Sequence, residues 1–79
     1  MNKALLKHLV ELVNDVPLTG GIKSLAQVED NVYTGRSYNE VPQIKELEKL
    51  DRLKFIGIVP SSGTLFDIQI GEKAINYFK

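Results

Sequence analysis

The chain has no cysteine and no tryptophan, and only one histidine and one methionine. Without cysteine there is no disulfide, no thiol nucleophile and no thiolate metal ligand. The lone histidine, His8, has no second histidine or cysteine with which to build a zinc site. It lies at the edge of an apolar stripe beside Leu5, Leu9 and Leu12, where a packing or surface role is far commoner than ligation. Nucleophilic catalysis needs a serine with a histidine and a carboxylate, but the serines here fall in caps and turns. Gly20 and Gly21 are framed by no strand and no Gly-Lys-Ser pattern, so they make no phosphate loop. An enzyme, a cofactor and a bound metal are therefore not expected. No apolar run is long enough to span a bilayer. Lys3 is followed by Glu11, Asn14 and Asp15, which interrupt what would otherwise read as a signal peptide. A cysteine-free small domain fits the reducing cytoplasm, the expected compartment. Ten basic residues balance ten acidic ones. A formal charge of zero argues against indiscriminate coating of nucleic acid, and leaves open a local basic face.

What is present reads as one domain, residues 1–79, of the α+β class. A chain of this length buries roughly 60–65 % of its unfolded surface. Leu5, Leu9, Leu12 and Val16 recur at helical spacing, with Leu6, Val10 and Val13 widening the stripe, and predict a helix over Asn2 to Val16. Two readings of that wide face stand side by side: a helix packed on two sides of a small core, or a homodimer seam at Leu6 and Val10. Pro17 ends the helix, and Thr19 to Gly21 follow as a flexible connection. Ser24 and Gln27 have the spacing of a capping box, predicting a short second helix from Leu25 to about Asn31.

Gly35 supplies a positive φ angle in the turn from Val32 to Ser37. A third helix begins between Ser37, which has Glu40 three residues on, and Pro42, a candidate first helical residue. Ile44, Leu47 and Leu50 are its buried positions, and it ends near Arg52 or Leu53. Phe55 to Val59 and Leu65 to Ile70 are two strands joined by the Pro60 to Gly63 turn, with Gly63 left-handed. Phe66, Ile68 and Ile70 alternate with Asp67 and Gln69, so those two are expected to face solvent. Gly71 interrupts the strand, and a terminal helix from Glu72 docks Ile75 and Phe78.

The stretch from Leu47 to Ile56 looks like the exit of a recognition helix: two leucines three apart, an acidic residue, then an apolar pair leading into a wing. Ser24 to Ala26 is similar to the start of a second helix, and Gly71 to Phe78 to the segment after a wing. In their order these resemble the winged helix-turn-helix DNA-binding domains of small bacterial and phage transcriptional regulators. The resemblance implies a winged helix: a three-helix core, a C-terminal β-hairpin wing and a short terminal helix. Two positions depart from it. Lys54 stands where the family has a left-handed glycine, so the helix exit either differs or carries strain. The wing tip, Pro60 to Gly63, has no arginine or lysine.

In such a fold the third helix enters the major groove and the residues at its start reach base edges. Here those are Arg36, Ser37, Tyr38, Asn39 and Gln43; arginine can pair with guanine, and asparagine or glutamine with adenine. Lys45, Lys49 and Arg52 fall on one helical stripe suited to phosphates, and Ser61 and Ser62 can contact the backbone from the tip. Solvated charge and half-buried packing are the bland alternatives, Tyr38 above all, and Glu40, Glu46 and Glu48 dilute the field. Duplex DNA is thus the expected partner, with a homodimer on two half-sites. A protein partner, bound by the same scaffold without nucleic acid, is the alternative.

Overall fold

The computed structural model describes all 79 residues and is an α+β fold of three helices and one three-stranded antiparallel sheet. Helix α1 spans Lys3–Leu12. Asn2 starts it, its side-chain oxygen accepting the Leu5 N–H at 3.0 Å, which satisfies one otherwise orphaned donor. The helix stops short of Val16. Beyond Leu12 the Asn14 and Val16 amides bond three residues back, to Glu11 and Val13, a tightening consistent with poor helix formers ahead of Pro17. Val16 is nonetheless buried. Leu6 is 0 % exposed inside the core, and Val10 packs against that core. Of the two readings of this face, the burial of Leu6 favours the helix packed into the core, since Leu6 has no surface left to offer a second chain.

The expected flexible connection is a tight turn. Thr19 and Ile22 exchange both backbone hydrogen bonds, at 2.9 and 3.2 Å, across Gly20 and Gly21 at φ +60° and +79°. Two left-handed central residues give the turn twist that suits antiparallel strands. It launches β1, Ile22–Ser24, an element the sequence analysis did not anticipate. The predicted second helix does not form; a single 3₁₀ turn, Leu25–Gln27, takes its place. Ser24 makes no cap bond there because its hydroxyl donates to Asp67 at 2.6 Å. Asn31 then donates to the carbonyls of Leu25 and Val28, which a continuing helix would have used. It also accepts from the Tyr33 and Thr34 amides, so one asparagine organises this loop in the manner typical of its type.

A second 3₁₀ turn, Tyr38–Glu40, opens at Ser37. Helix α2, Ile44–Arg52, follows a left-handed Gln43 at φ 56°, so Pro42 precedes the helix rather than beginning it. Leu47 and Leu50 are wholly buried, as their spacing predicted. The helix ends in a Schellman arrangement: the Phe55 amide bonds Leu50 O at 3.1 Å and the Lys54 amide bonds Asp51 O at 2.9 Å.

Strands β2 (Ile56–Pro60) and β3 (Phe66–Gly71) form the hairpin, in register Ile56 to Ile70 through Pro60 to Phe66, with Gly63 at φ +58° as expected. β1 pairs on the other side of β3, Ser24 opposite Gln69, giving the order β1-β3-β2. Asp67 is 8 % exposed, a correction to its expected solvent-facing place. Added strand β1 and the turn after it cover that side, and Asp67 accepts from Ser24, Ala26 and Ile68. Helix α3, Glu72–Tyr77, buries Ala74 and rests Ile75 on the core. Phe78 lies past its end and is 39 % exposed, so it does not dock as expected. Tyr77 instead meets Phe55 edge-on at 5.4 Å. No helix is long and apolar enough to cross a membrane.

Candidate nucleic-acid interface

Helix α2 is held by its inner face, where Leu47 and Leu50 enter the core. Asp51 adds a tie to the sheet by accepting the Ile58 amide at 3.3 Å. Lys45, Lys49 and Arg52 are consequently turned outward and exposed, as the helical stripe required; the Lys45 side chain is 87 % exposed. They do not stand alone. Lys45 lies 3.7 Å from Glu48 and Lys49 lies 3.6 Å from Glu46, so each lysine has an acidic neighbour one turn away.

Of the residues expected to reach bases, Arg36, Asn39 and Gln43 are exposed, and Arg36 has no ion-pair partner. Ser37 and Tyr38 are drawn inward. The Ser37 hydroxyl donates to the Glu40 carboxylate. Tyr38 sits edge-on to Phe66 at 5.1 Å and its hydroxyl donates to Glu48. That bond raises the Tyr38 hydroxyl above its ordinary value of 10.0, helped by burial and by the charges of Glu48 and Asp51. The same bond, with the charges of Lys45 and Arg52, lowers the Glu48 carboxyl against a smaller opposing effect of burial. Tyr38 is thus a packed clamp between the loop and α2, the bland alternative of its sequence reading.

The structure brings that loop to the hairpin. Ser37 makes an isolated bridge to Leu65, placing Arg36 beside the strand end that follows the tip. Ser61 and Ser62 are exposed at the tip. The Ser61 amide is taken by Leu65 O and Ser62 O accepts the Leu65 amide, which leaves the Ser62 and Gly63 amides without an internal acceptor. Arg36, the outer face of α2 and the tip are therefore linked by one structural clasp, Ser37–Tyr38 against Leu65–Phe66.

Sequence reasoning missed Lys73. Its ammonium donates to Leu53 O at 2.6 Å, at the electronegative end of α2, and lies 4.3 Å from the centre of the Phe55 ring. Nothing in local spacing signals it, because it arrives from α3. It also missed the pairing of His8 with Tyr33, edge-on at 6.2 Å. No family model, curated protein or solved structure matches this chain.

Proposed function

We propose that this chain is a winged-helix variant that binds duplex DNA, with α2 in the major groove and the β2–β3 tip against the backbone. A small transcriptional regulator of bacterial or phage origin is the setting that the family resemblance suggests. One observation carries the reading: Lys45, Lys49 and Arg52 stand exposed on the outer face of the helix that runs directly into the hairpin. Their acidic neighbours do not remove the argument. Exposed pairs of this kind contribute only about 0.2–0.5 kcal/mol each, so phosphates can displace them while counterion release favours the complex. Base reading falls to Arg36, Asn39 and Gln43 rather than to Ser37 and Tyr38, which are spent on internal bonds. The second helix of a helix-turn-helix is reduced to a 3₁₀ turn, so the contact rests on α2 and the hairpin alone.

The test is the double variant Lys45→Glu with Lys49→Glu, compared with the parent by fluorescence anisotropy on a labelled duplex. Affinity falls by about tenfold or more on every sequence, with the circular dichroism spectrum unchanged. Equal binding by both proteins would take the stripe out of the mechanism.

A second reading has its own observation. Glu46, Glu48 and Asp51 interleave with the three cations on α2, and the tip carries no charge. A protein-interaction module, of the kind a phage or mobile-element accessory protein uses, fits that mixed face. A parent protein that fails to bind any duplex at low salt points to this second reading.

A further inference from the structure

Of the seven large apolar side chains that stay exposed, three lie together past the C-terminal end of α2: Leu53, Tyr77 and Phe78. A short run of contacts joins them. The Lys73 ammonium donates to the Leu53 carbonyl at 2.6 Å and sits 4.3 Å from the centre of the Phe55 ring. Tyr77 meets that ring edge-on at 5.4 Å, and Phe78 meets Tyr77 edge-on at 4.9 Å. Leu53 is 44 % exposed and Tyr77 41 %, so each keeps an outward face. The edge-on stack orders both aromatic side chains in advance, which lowers the entropy that a bound partner has to remove.

The unpaired charge beside this patch is positive. Lys54, between Leu53 and Phe55 in the chain, is exposed, as is Lys73, and neither forms an ion pair. The neighbouring carboxylates are turned elsewhere: Asp51 accepts the Ile58 amide, and Glu72 points toward Gly21. On the outer face of α2, by contrast, Lys45 and Lys49 each have an acidic neighbour. A second copy of the chain set symmetrically on this patch would bring Lys54 and Lys73 against their own counterparts. Three side chains exposed by about two-fifths also fall far short of the roughly 800 Å² per partner of a stable folded interface. A membrane surface would meet a whole face of a chain whose ten acidic residues cancel its ten basic ones. A short segment touches the patch alone.

We propose that this patch docks a short acidic segment of a partner protein, in which one or two aromatic or aliphatic side chains are flanked by glutamate or aspartate. Its apolar side chains cover Leu53, Tyr77 and Phe78, since aromatic anchors concentrate interface energy. Its carboxylates pair with Lys54 and Lys73, which sets orientation and speeds encounter more than it adds affinity. The patch lies beyond Arg52, while Arg36, Asn39 and Gln43 precede α2, so docking here does not depend on DNA reading by that helix.

The probe is a blocked synthetic peptide, Glu-Glu-Leu-Phe-Glu-Glu, titrated into the full chain and followed by amide NMR at low salt. Saturable shifts at Leu53, Lys54, Lys73, Tyr77 and Phe78 are expected, weakening as salt rises. The same peptide with glutamine in place of glutamate binds about fivefold more weakly, the worth of exposed ion pairs. Phe78→Ser alters a side chain past the end of α3, leaves the circular dichroism spectrum unchanged, and also weakens the glutamate peptide by about fivefold. Absence of saturable shifts, equal binding of the two peptides, or a folded Phe78→Ser protein that binds as the parent does would each overturn the proposal. So would a different occupant: shifts at these residues that grow with protein concentration alone, or co-sedimentation with phosphatidylglycerol vesicles by a protein that the peptide leaves unshifted.

Discussion

Lys54 holds its backbone at φ +66° to close the Schellman turn after α2. A residue with a Cβ is disfavoured there by roughly 1 kcal/mol relative to glycine. Lys54→Gly is therefore expected to raise stability by about 1 kcal/mol in urea unfolding, leaving the fold as it is; a drop in the unfolding midpoint would contradict the strain. This feature was legible in sequence, because a non-glycine residue stood where the turn wants glycine. Asp67 was not. Strand alternation assigned it to the face opposite Ile68, correctly, but could not tell that β1 and the Leu25–Gln27 turn cover that face. Its three accepted hydrogen bonds make Asp67→Ala a loss of about 2–4 kcal/mol. Ser24→Ala, which removes one of them, costs about 1 kcal/mol in the same assay.

Among the elements, those set by local periodicity emerged largely as read: α1 in its buried face, α2 in its buried Leu47 and Leu50 and its end at Arg52, though it starts at Ile44 rather than between Ser37 and Pro42, and the hairpin with its left-handed Gly63. The failures lie where a distant residue took a local donor. Ser24 and Gln27 had the spacing of a cap, yet Asp67, 43 positions away, holds the Ser24 hydroxyl, and a strand with one 3₁₀ turn replaces the helix. The base-reading set divided for the same reason, since Tyr38 is tied to Glu48 and Phe66. That tie has a pH signature. Glu48 is lowered in the folded state, so its contribution is present above its unfolded value and disappears as pH falls through the folded one. Tyr38 is raised, so its contribution is present below 10.0 and disappears as pH rises through the folded value. NMR titration is expected to show the Glu48 carboxyl protonating at lower pH than in a Tyr38→Phe variant; an identical midpoint in the two proteins would deny the clamp.

Taken whole, the molecule places one continuous core between its three helices and one sheet face, running from Leu5 and Leu6 through Leu47 and Leu50 to Ile68, Ile70 and Ala74. Leu6 at the centre makes Leu6→Ala a loss of about 2–5 kcal/mol, and Leu6→Glu unfolds the chain rather than releasing a monomer. A folded, monomeric Leu6→Glu protein seen by circular dichroism and light scattering would restore the dimer seam. With zero net charge, any nucleic-acid binding has to come from the local face of Arg36, Lys45, Lys49 and Arg52. The direct measurement is a titration of the protein with duplex DNA, followed by amide NMR at low and moderate salt. DNA binding by this face shifts only the amides of Arg36–Arg52 and of the Ser61–Gly63 tip. The affinity should fall with salt at a logarithmic slope of about −3, for three to four phosphate contacts. Absence of shifts at low salt, or shifts centred elsewhere, would contradict it.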